Sequence, residues 1–388
     1  MAKCILVTMR AAIVHYWLLN RRGGEKVLDG LCRLLPGADI FTLFCDPCTL
    51  SPVVGMHRIT TSFLNPLRRW HRSLLPLMPV ALENFDLRGY DLIVSSESGP
   101  AKGVVTSSHT VHVCYCHTPM RYLWDLYPAY RNEWTKSRWK RAVMSPVANY
   151  LRLWDYASAA RVDRFVANSS NVQRRIRKTY RRDSEVIYPP VDVDSFYSKP
   201  SDGYFLTVGE LVPYKRVDSA VQWATHMGRP LRVAGAGPEY TRLRAMAGPT
   251  VEFLGKVSDP ELRELYARCR AFLLPGEEDF GMTPVEALAS GKPVIALGCG
   301  GALETVPRFG GVFYEEPSVD QIEAAARALE AMEPAIRPAE LREHARQFGP
   351  DQFQRRMRRV LDEAIAESSA SGVRSAALTL RRDAGRTT

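Results

Sequence analysis

Residues 275–296 read PGEEDFGMTPVEALASGKPVIA. The apolar run Ala271–Leu274 just before them has the character of a buried strand, and Pro293–Ala296 has it again. Between the two, Thr283-Pro284 predicts a helix start, with Thr283 as N-cap, Pro284 at the first helical position and the helix running to Ser290. Strand, loop, helix, strand is the repeating unit of a parallel α/β sheet. The backbone N–H groups of Gly281, Met282 and Thr283 are expected to face out of the positive helix end, where a phosphate is favoured. Glu278 in the loop and Glu286 in the first turn flank that end; one can bond sugar hydroxyls, the other a ribose diol. Each also has a plainer reading. Thr283-x-x-Glu286 has the spacing of a capping box, and Glu278 lies beside Glu277 and Asp279 like a solvated loop acid.

The alternation extends in both directions. Upstream come strand Tyr204–Val208, helix Val217–Met227, strand Leu231–Ala234, helix Tyr240–Ala247, strand Val251–Leu254 and helix Pro260–Cys269. The first half starts with a strand in Met9–Trp17, a loop at Arg22–Glu25 and a helix through Val27, Leu28, Leu31 and Leu34. Strands at Asp39–Phe44, Asp91–Ser95, Val111–Tyr115 and Arg164–Asn168 follow, and then a helix at Asn171–Tyr180. Pro189-Pro190, inside Ile187–Phe196, stops regular structure and marks a hinge. The fold class is therefore α/β, with two Rossmann-like parallel-sheet domains facing a cleft. The domains are expected at 1–190 and 191–352, with a C-terminal helix and frayed tail at 353–388. Glu340–Glu367 reads as helix with breaks, amphipathic over Phe353–Ile365, and Met1–Thr8 reads as a dispensable extension.

The 388 residues are 46% hydrophobic and 24% charged, which excludes disorder, collagen-like repeats and a disulfide mini-scaffold. No stretch is apolar for the ~18 residues a spanning helix needs. A net charge of +10 leaves nucleic acid, a membrane surface or a phosphorylated substrate as partner. Residues 1–195 hold 27 Lys and Arg against 16 Asp and Glu, whereas 196–352 hold 17 against 22. No nucleic-acid reader motif accompanies the basic half, so no nucleic-acid partner is expected. The eight cysteines are scattered; Cys45 and Cys48 have half the spacing of a zinc site, but no second pair matches, and they read as core thiols with no metal. Met1–Thr8 lacks a secretory core and cleavage site, so a cytoplasmic location is expected.

The spacing Glu278-x7-Glu286, followed by Ala287 and Gly291-Lys292-Pro293-Val294, resembles the signature of retaining glycosyltransferase family 4, which has the GT-B fold. The resemblance runs from Ala11 to about Ile365. It takes in Gly23-Gly24-Glu25-Lys26, Ala167-Asn168-Ser169, Tyr188–Phe196, VGELVPYKRVD at 208–218, AGAGP at 234–238, FLGKVSD at 253–259 and Gly300-Gly301-x-x-Glu304. It implies a nucleotide-sugar donor as co-substrate, no cofactor, no metal, and a C-terminal helix crossing back to the first domain. It also implies that Glu278 and His117 face the reacting sugar. Lys215 and Arg216 would hold the donor diphosphate, and Gly23, Gly24, Gly235, Gly237, Lys256 and Val257 would shape its loops. Lys215 and Arg216 stand at a helix start, where cations are disfavoured unless an anion is near. Glu210 departs from the family, which commonly has Arg there.

The string around His117, Tyr115–Asp125 (YCHTPMRYLWD), is similar to bacterial surface-polysaccharide mannosyltransferases. That implies transfer of mannose from GDP-mannose to a lipid-linked saccharide, with a UDP-sugar donor as the alternative. The expected chemistry is front-face attack by the acceptor hydroxyl, the departing phosphate taking the proton. Asp192-x-Asp194 lies in the hinge and reads as turn chemistry rather than a metal site. Leu67–Arg72 (LRRWHR) and Trp134–Arg141 (WTKSRWKR) mix Trp with cations, as suits the headgroup zone of an anionic leaflet; the plainer reading is a solvated helix with buried Trp. The expected location is therefore peripheral, at the inner face of the cytoplasmic membrane. A nucleotide-sugar epimerase and a non-catalytic membrane binder are the competing classes.

Overall fold

A computed structural model of the chain describes residues 9–135 and 137–370. The extension at Met1–Thr8, the tail beyond Ala370, Lys136 and the side chain of Trp134 lie outside the described residues. The chain forms two compact units: one holds the residues up to Tyr188 and those from Phe353 on, the other Pro189–Gln352.

The first unit is built on seven parallel strands: β1 (Ala11–His15), β2 (Asp39–Thr42), β3 (Ile59–Thr61), β4 (Leu92–Glu97), β5 (Val111–Cys116), β6 (Arg164–Ala167) and β7 (Ser184–Val186). Their order across the sheet is 3-2-1-4-5-6-7. β1, β4 and β5 are buried along their whole length, as expected of a parallel sheet covered on both faces. On one face, Ile13, Val94 and Val113 pack with the helix Gly23–Leu34. On the other, Ala12, Val14 and Ile93 pack with Phe41, Met78 and Leu82.

The last described helix, Pro350–Ala370, belongs to this same core. Phe353, Met357, Val360, Leu361, Ala364 and Ile365 form one stripe at helical spacing and bury it against the Ile13 face of the sheet. Arg164 on β6 ties the helix down through Glu363 at 2.9 Å and Glu367 at 2.8 Å.

The second unit carries six parallel strands: β8 (Phe205–Val208), β9 (Leu231–Ala234), β10 (Val251–Gly255), β11 (Ala271–Leu274), β12 (Val294–Leu297) and β13 (Gly311–Tyr314), in the order 10-9-8-11-12-13. In both sheets the first strand of the unit lies beside the fourth, β1 beside β4 and β8 beside β11. Here the order reverses, and connections leave toward opposite sides. The loops at the carboxyl ends of these strands then enclose a crevice, the usual ligand site of such sheets.

Three strands were not expected from the sequence: β3, β7 and β13. All three lie at sheet edges, and they span three or four residues. Such short, half-buried runs leave no alternation to read. The helices Arg138–Ser158 and Val319–Met332 were also not anticipated as elements.

Candidate functional site

In the second unit the chain leaves β8 through Gly209–Arg216 and leaves β11 through Pro275–Gly281. These two loops meet: Lys215 Nζ lies 2.7 Å from Glu278 Oε1, and each side chain is 22% exposed. Glu278 is therefore half-buried and paired, not a solvated loop acid. Successive loops on this edge are also joined through backbone, Gly235 N donating to Gly255 O at 2.7 Å and Gly209 N to Ala234 O at 3.0 Å. The fold thus brings Lys256 and Val257 after β10, Gly235 and Gly237 after β9, Lys215 and Arg216 after β8, and Glu278 with Gly281–Thr283 after β11, to one edge of one sheet.

The glycines there answer to the chain's own packing. Gly235 has φ +147°, and a Cβ on it would fall 1.8 Å from the Gly209 carbonyl oxygen. A Cβ on Gly276 would fall 2.6 Å from the Lys215 backbone, so Gly276 lets the Lys215 loop lie against the Glu278 loop. Gly237 is likewise pressed against Leu211.

The helix start differs from expectation. The helix is Met282–Ala289 and its N-cap is Gly281, at φ +85°. Thr283 is thus the second helical residue and caps nothing. The positive-φ bend that turns the chain into the helix suits glycine, which is why Gly281 displaces Thr283 from that role. The capping box with Glu286 is absent as well. Glu286 is 3% exposed, and its Oε2 accepts a hydrogen bond from Tyr266 Oη at 3.1 Å. Arg216 also departs from its reading. It sits at φ +50° before the helix Val217–Met227, and its Nε donates to Asp218 Oδ1 at 3.2 Å. Asp218 supplies the anion the helix start requires, so the cation there does not by itself imply a ligand. Lys256 is exposed and Val257 half-buried.

In the first unit, His117 follows β5 at the carboxyl edge. Its Nε2 shares a 3.0 Å hydrogen bond with Ser96 Oγ on β4, and its backbone N donates to Glu97 O at 2.6 Å. Burial, reinforced by His15, pushes the His117 imidazole down to about 3, so the ring is neutral near pH 7. Gly23 and Gly24 are not a loop: they form the first turn of the helix Gly23–Leu34. A Cβ on Gly24 would meet Tyr16 Oη at 2.8 Å, so Gly24 makes room for that ring.

Beneath His117 lies a set of charges that the sequence did not disclose. Glu97, Lys102 and Asp155 are all fully buried. Lys102 Nζ bonds Asp155 Oδ1, and Lys102 N donates to Glu97 Oε2 at 2.8 Å. Trp124 Nε1 and Tyr180 Oη also donate to Asp155, at 2.8 and 3.0 Å. The network fastens the ends of β4, the 118–125 loop and the helices 138–158 and 170–180 to one another. The only signal for it was a lysine five residues past a strand-end glutamate.

The described tryptophans of the basic aromatic stretches face outward. Trp70 is 62% and Trp139 76% exposed, which removes the reading that these rings are buried. Leu67, Leu77, Val143 and Leu153 are exposed with them. Leu75, three residues past the first stretch, and Val147 from the helix Arg138–Ser158 both pack on the small cluster of Met120, Leu123, Ala148 and Leu151. Among the described residues no helix is long and apolar enough to cross a membrane.

Residues 21–195 match the family model described as Glycosyltransferase Family 4, and 194–349 match that of Glycosyl transferases group 1. Together the two account for most of the chain, which belongs to the family 4 glycosyltransferases. Among its relatives, the O-antigen chain mannosyltransferase RfbU of Salmonella typhimurium is 34% identical over 160 residues, 38% of this chain and 45% of the relative. The GDP-mannose-dependent alpha-mannosyltransferase of Mycobacterium tuberculosis is 39% identical over 109 residues, 28% of each chain. These alignments take in less than half of each relative's length. Anabaena Alr3699/HepE, solved with UDP-glucose, superposes with a TM-score of 0.67 at 18% identity, covering 93% of this chain and 99% of that one. Sucrose-phosphate synthase of Thermosynechococcus elongatus gives 0.66 at 16% identity, covering 92% and 100%. These likenesses show the GT-B fold.

Proposed function

We propose that the protein transfers mannose from GDP-mannose to a lipid-linked saccharide at the inner face of the cytoplasmic membrane, with retention and without a metal. The observation that carries this reading is the meeting of Lys215 and Glu278 at 2.7 Å, on the edge where β8 lies beside β11. A diphosphate leaving group gathers charge as its bond to the sugar breaks, and Lys215 with the first N–H groups of the 282–289 helix can neutralise it. Glu278 then loses its cation to the diphosphate and turns to the sugar hydroxyls. His117, neutral and bound to Ser96, serves as a hydrogen-bonding group toward the sugar, not as a nucleophile or acid. The acceptor hydroxyl attacks from the face the phosphate leaves, and its proton passes to that phosphate.

Both named mannosyltransferase relatives support mannose, and the one named as GDP-mannose-dependent supports GDP. A second reading is a phosphorylated polyol acceptor. The D-inositol 3-phosphate glycosyltransferase of Geodermatophilus obscurus is 29% identical over 264 residues, 57% of this chain and 56% of that one. The exposed Trp70 and Trp139 among arginines support attachment to an anionic membrane surface. Calorimetry with GDP, GDP-mannose, UDP and UDP-glucose tests the donor. Binding of the guanine pair alone is expected, and binding of neither pair overturns the reading.

A further inference from the structure

His15 ends β1 and is fully buried, yet neither Nδ1 nor Nε2 has a hydrogen-bond partner. An unpaired buried polar group costs about 1–3 kcal/mol, so a position chosen for packing alone would carry an apolar side chain. The surroundings are polar. Glu25 Oε1, from the first turn of the helix Gly23–Leu34, lies 3.9 Å from His15 Nε2, about 1 Å too far for a hydrogen bond. Glu25 is held in place by its other oxygen, which accepts from Arg22 N at 2.9 Å. The Tyr16 ring lies against the imidazole with centroids 4.4 Å apart. On the neighbouring strand the register partner of His15 is Ser96, the residue hydrogen-bonded to His117. Residues paired across adjacent strands project to the same face, so His15 and Ser96 share one side of the sheet.

We propose that His15 is a positioning residue of the transferase site: it links the Glu25 carboxylate to the Ser96–His117 hydrogen bond and thereby sets the tautomer in which His117 meets the sugar. A histidine ring nitrogen is committed by what the other nitrogen bonds. Ser96 can donate to His117 Nε2 or accept from it. In the proposed chain His15 Nδ1 accepts the Ser96 hydroxyl proton, a bond this structure does not itself make, and Ser96 must then accept from His117 Nε2–H. His117 Nδ1 is then left as an acceptor for a sugar hydroxyl. Closing the gap to Glu25 keeps the His15 proton on Nε2 and completes the chain. The catalytic part of this proposal rests on the transferase reading; the tautomer part does not.

His15→Phe keeps ring volume and removes both nitrogens, and His15→Leu serves should the phenyl ring not fit. His15→Gln keeps the capacity to bridge. In the full chain, labelled with nitrogen-15 histidine, long-range proton–nitrogen spectra read the His117 tautomer, assigned by His117→Gln. The expected result is a single Nε2–H form of His117 in the wild type and in His15→Gln, and a mixture in the apolar variants. Those variants are also expected to melt at or above the wild-type temperature. With GDP-mannose as probe and GDP release as signal, kcat should fall about tenfold or more at unchanged KM, and His15→Gln should recover part of it. An unchanged His117 spectrum in a folded apolar variant overturns the proposal, as does a wild-type His117 in the Nδ1–H form. Absence of nucleotide release from GDP-mannose and UDP-glucose by the wild type instead defeats the transferase reading, and the spectra still decide the role of His15.

Discussion

Lys215 and Glu278 neutralise each other across 2.7 Å, so the cation proposed to hold the donor diphosphate already has an anion beside it. On that reading, donor binding exchanges one anion for another. Lys215→Ala removes the attraction, and GDP affinity is expected to fall about 10- to 100-fold, the scale of one charge-assisted hydrogen bond. Glu278→Gln frees Lys215 and should bind GDP at least as tightly as the wild type. Its turnover of GDP-mannose should nonetheless drop by about 100-fold. Calorimetry and nucleotide release, run side by side, check the two opposite responses.

The backbone contact between Gly235 and Gly209 sets a steric limit. Gly235→Ala would place a Cβ 1.8 Å from a carbonyl oxygen at a φ of +147°. The strand-end loops must separate, at a cost of about 2–3 kcal/mol. Urea unfolding should register that loss, and GDP binding should weaken with it.

Lys102 is a buried cation with two buried carboxylates for company. Lys102→Met strands both, and a loss of about 3–5 kcal/mol is expected. Lys102→Met with Asp155→Leu should recover part of it, because an orphaned charge goes too. Trp124, whose indole N–H is bonded to Asp155, offers a fluorescence signal for the melt.

Protonation divides the pH axis of stability in two. Burial lifts Glu97 from 4.5 to about 7 against the pull of Lys102. A raised folded-state value means its contribution is full below about 4.5 and is lost as pH rises through 7. Burial lowers His112 from 6.5 to about 4, as it lowers His117 to about 3. Their contributions are full above 6.5 and are lost as pH falls through those values. Glu97→Gln is therefore expected to flatten the melting temperature between about pH 4.5 and 7 while leaving the acid limb in place. Melting curves from pH 3 to 8 test this.

Trp70→Ala and Trp139→Ala, alone and together, should weaken sedimentation with anionic vesicles and leave GDP binding intact. Binding to the vesicles should also decline with salt, since each cation near such a surface contributes about 1 kcal/mol.

The central strands were legible because parallel sheets bury both faces. AAIVH and AFLL read as continuous apolar runs, and β9 and β11 fall where the sequence placed them. The edge strands ITT and SEV carry no comparable signal, since a partner on one side asks less of each residue. Within the candidate site, the motif spacing pointed to Lys215 and Glu278 but not to their pairing, which needs two residues 63 positions apart to meet. The misplaced cap at Thr283 has a local cause: Thr-Pro is a good helix opening in isolation, but with Gly281 at φ +85° as the cap the helix starts two residues earlier. His15 was unreadable because nothing in a strand-end histidine tells a satisfied side chain from an orphaned one.

The helix that fills the floor of the first sheet is the last one described in the chain. During synthesis, the first unit emerges from the ribosome without Phe353, Met357 and Leu361, and although the helix Gly23–Leu34 covers part of that face, the part around Tyr115 that Phe353 packs on stays open. The contiguous 189–352 unit can complete its own core before that face is closed. Assembly of the nascent chain thus runs from the back forward, and the exposed underside of the amino-terminal sheet is the surface a chaperone would meet.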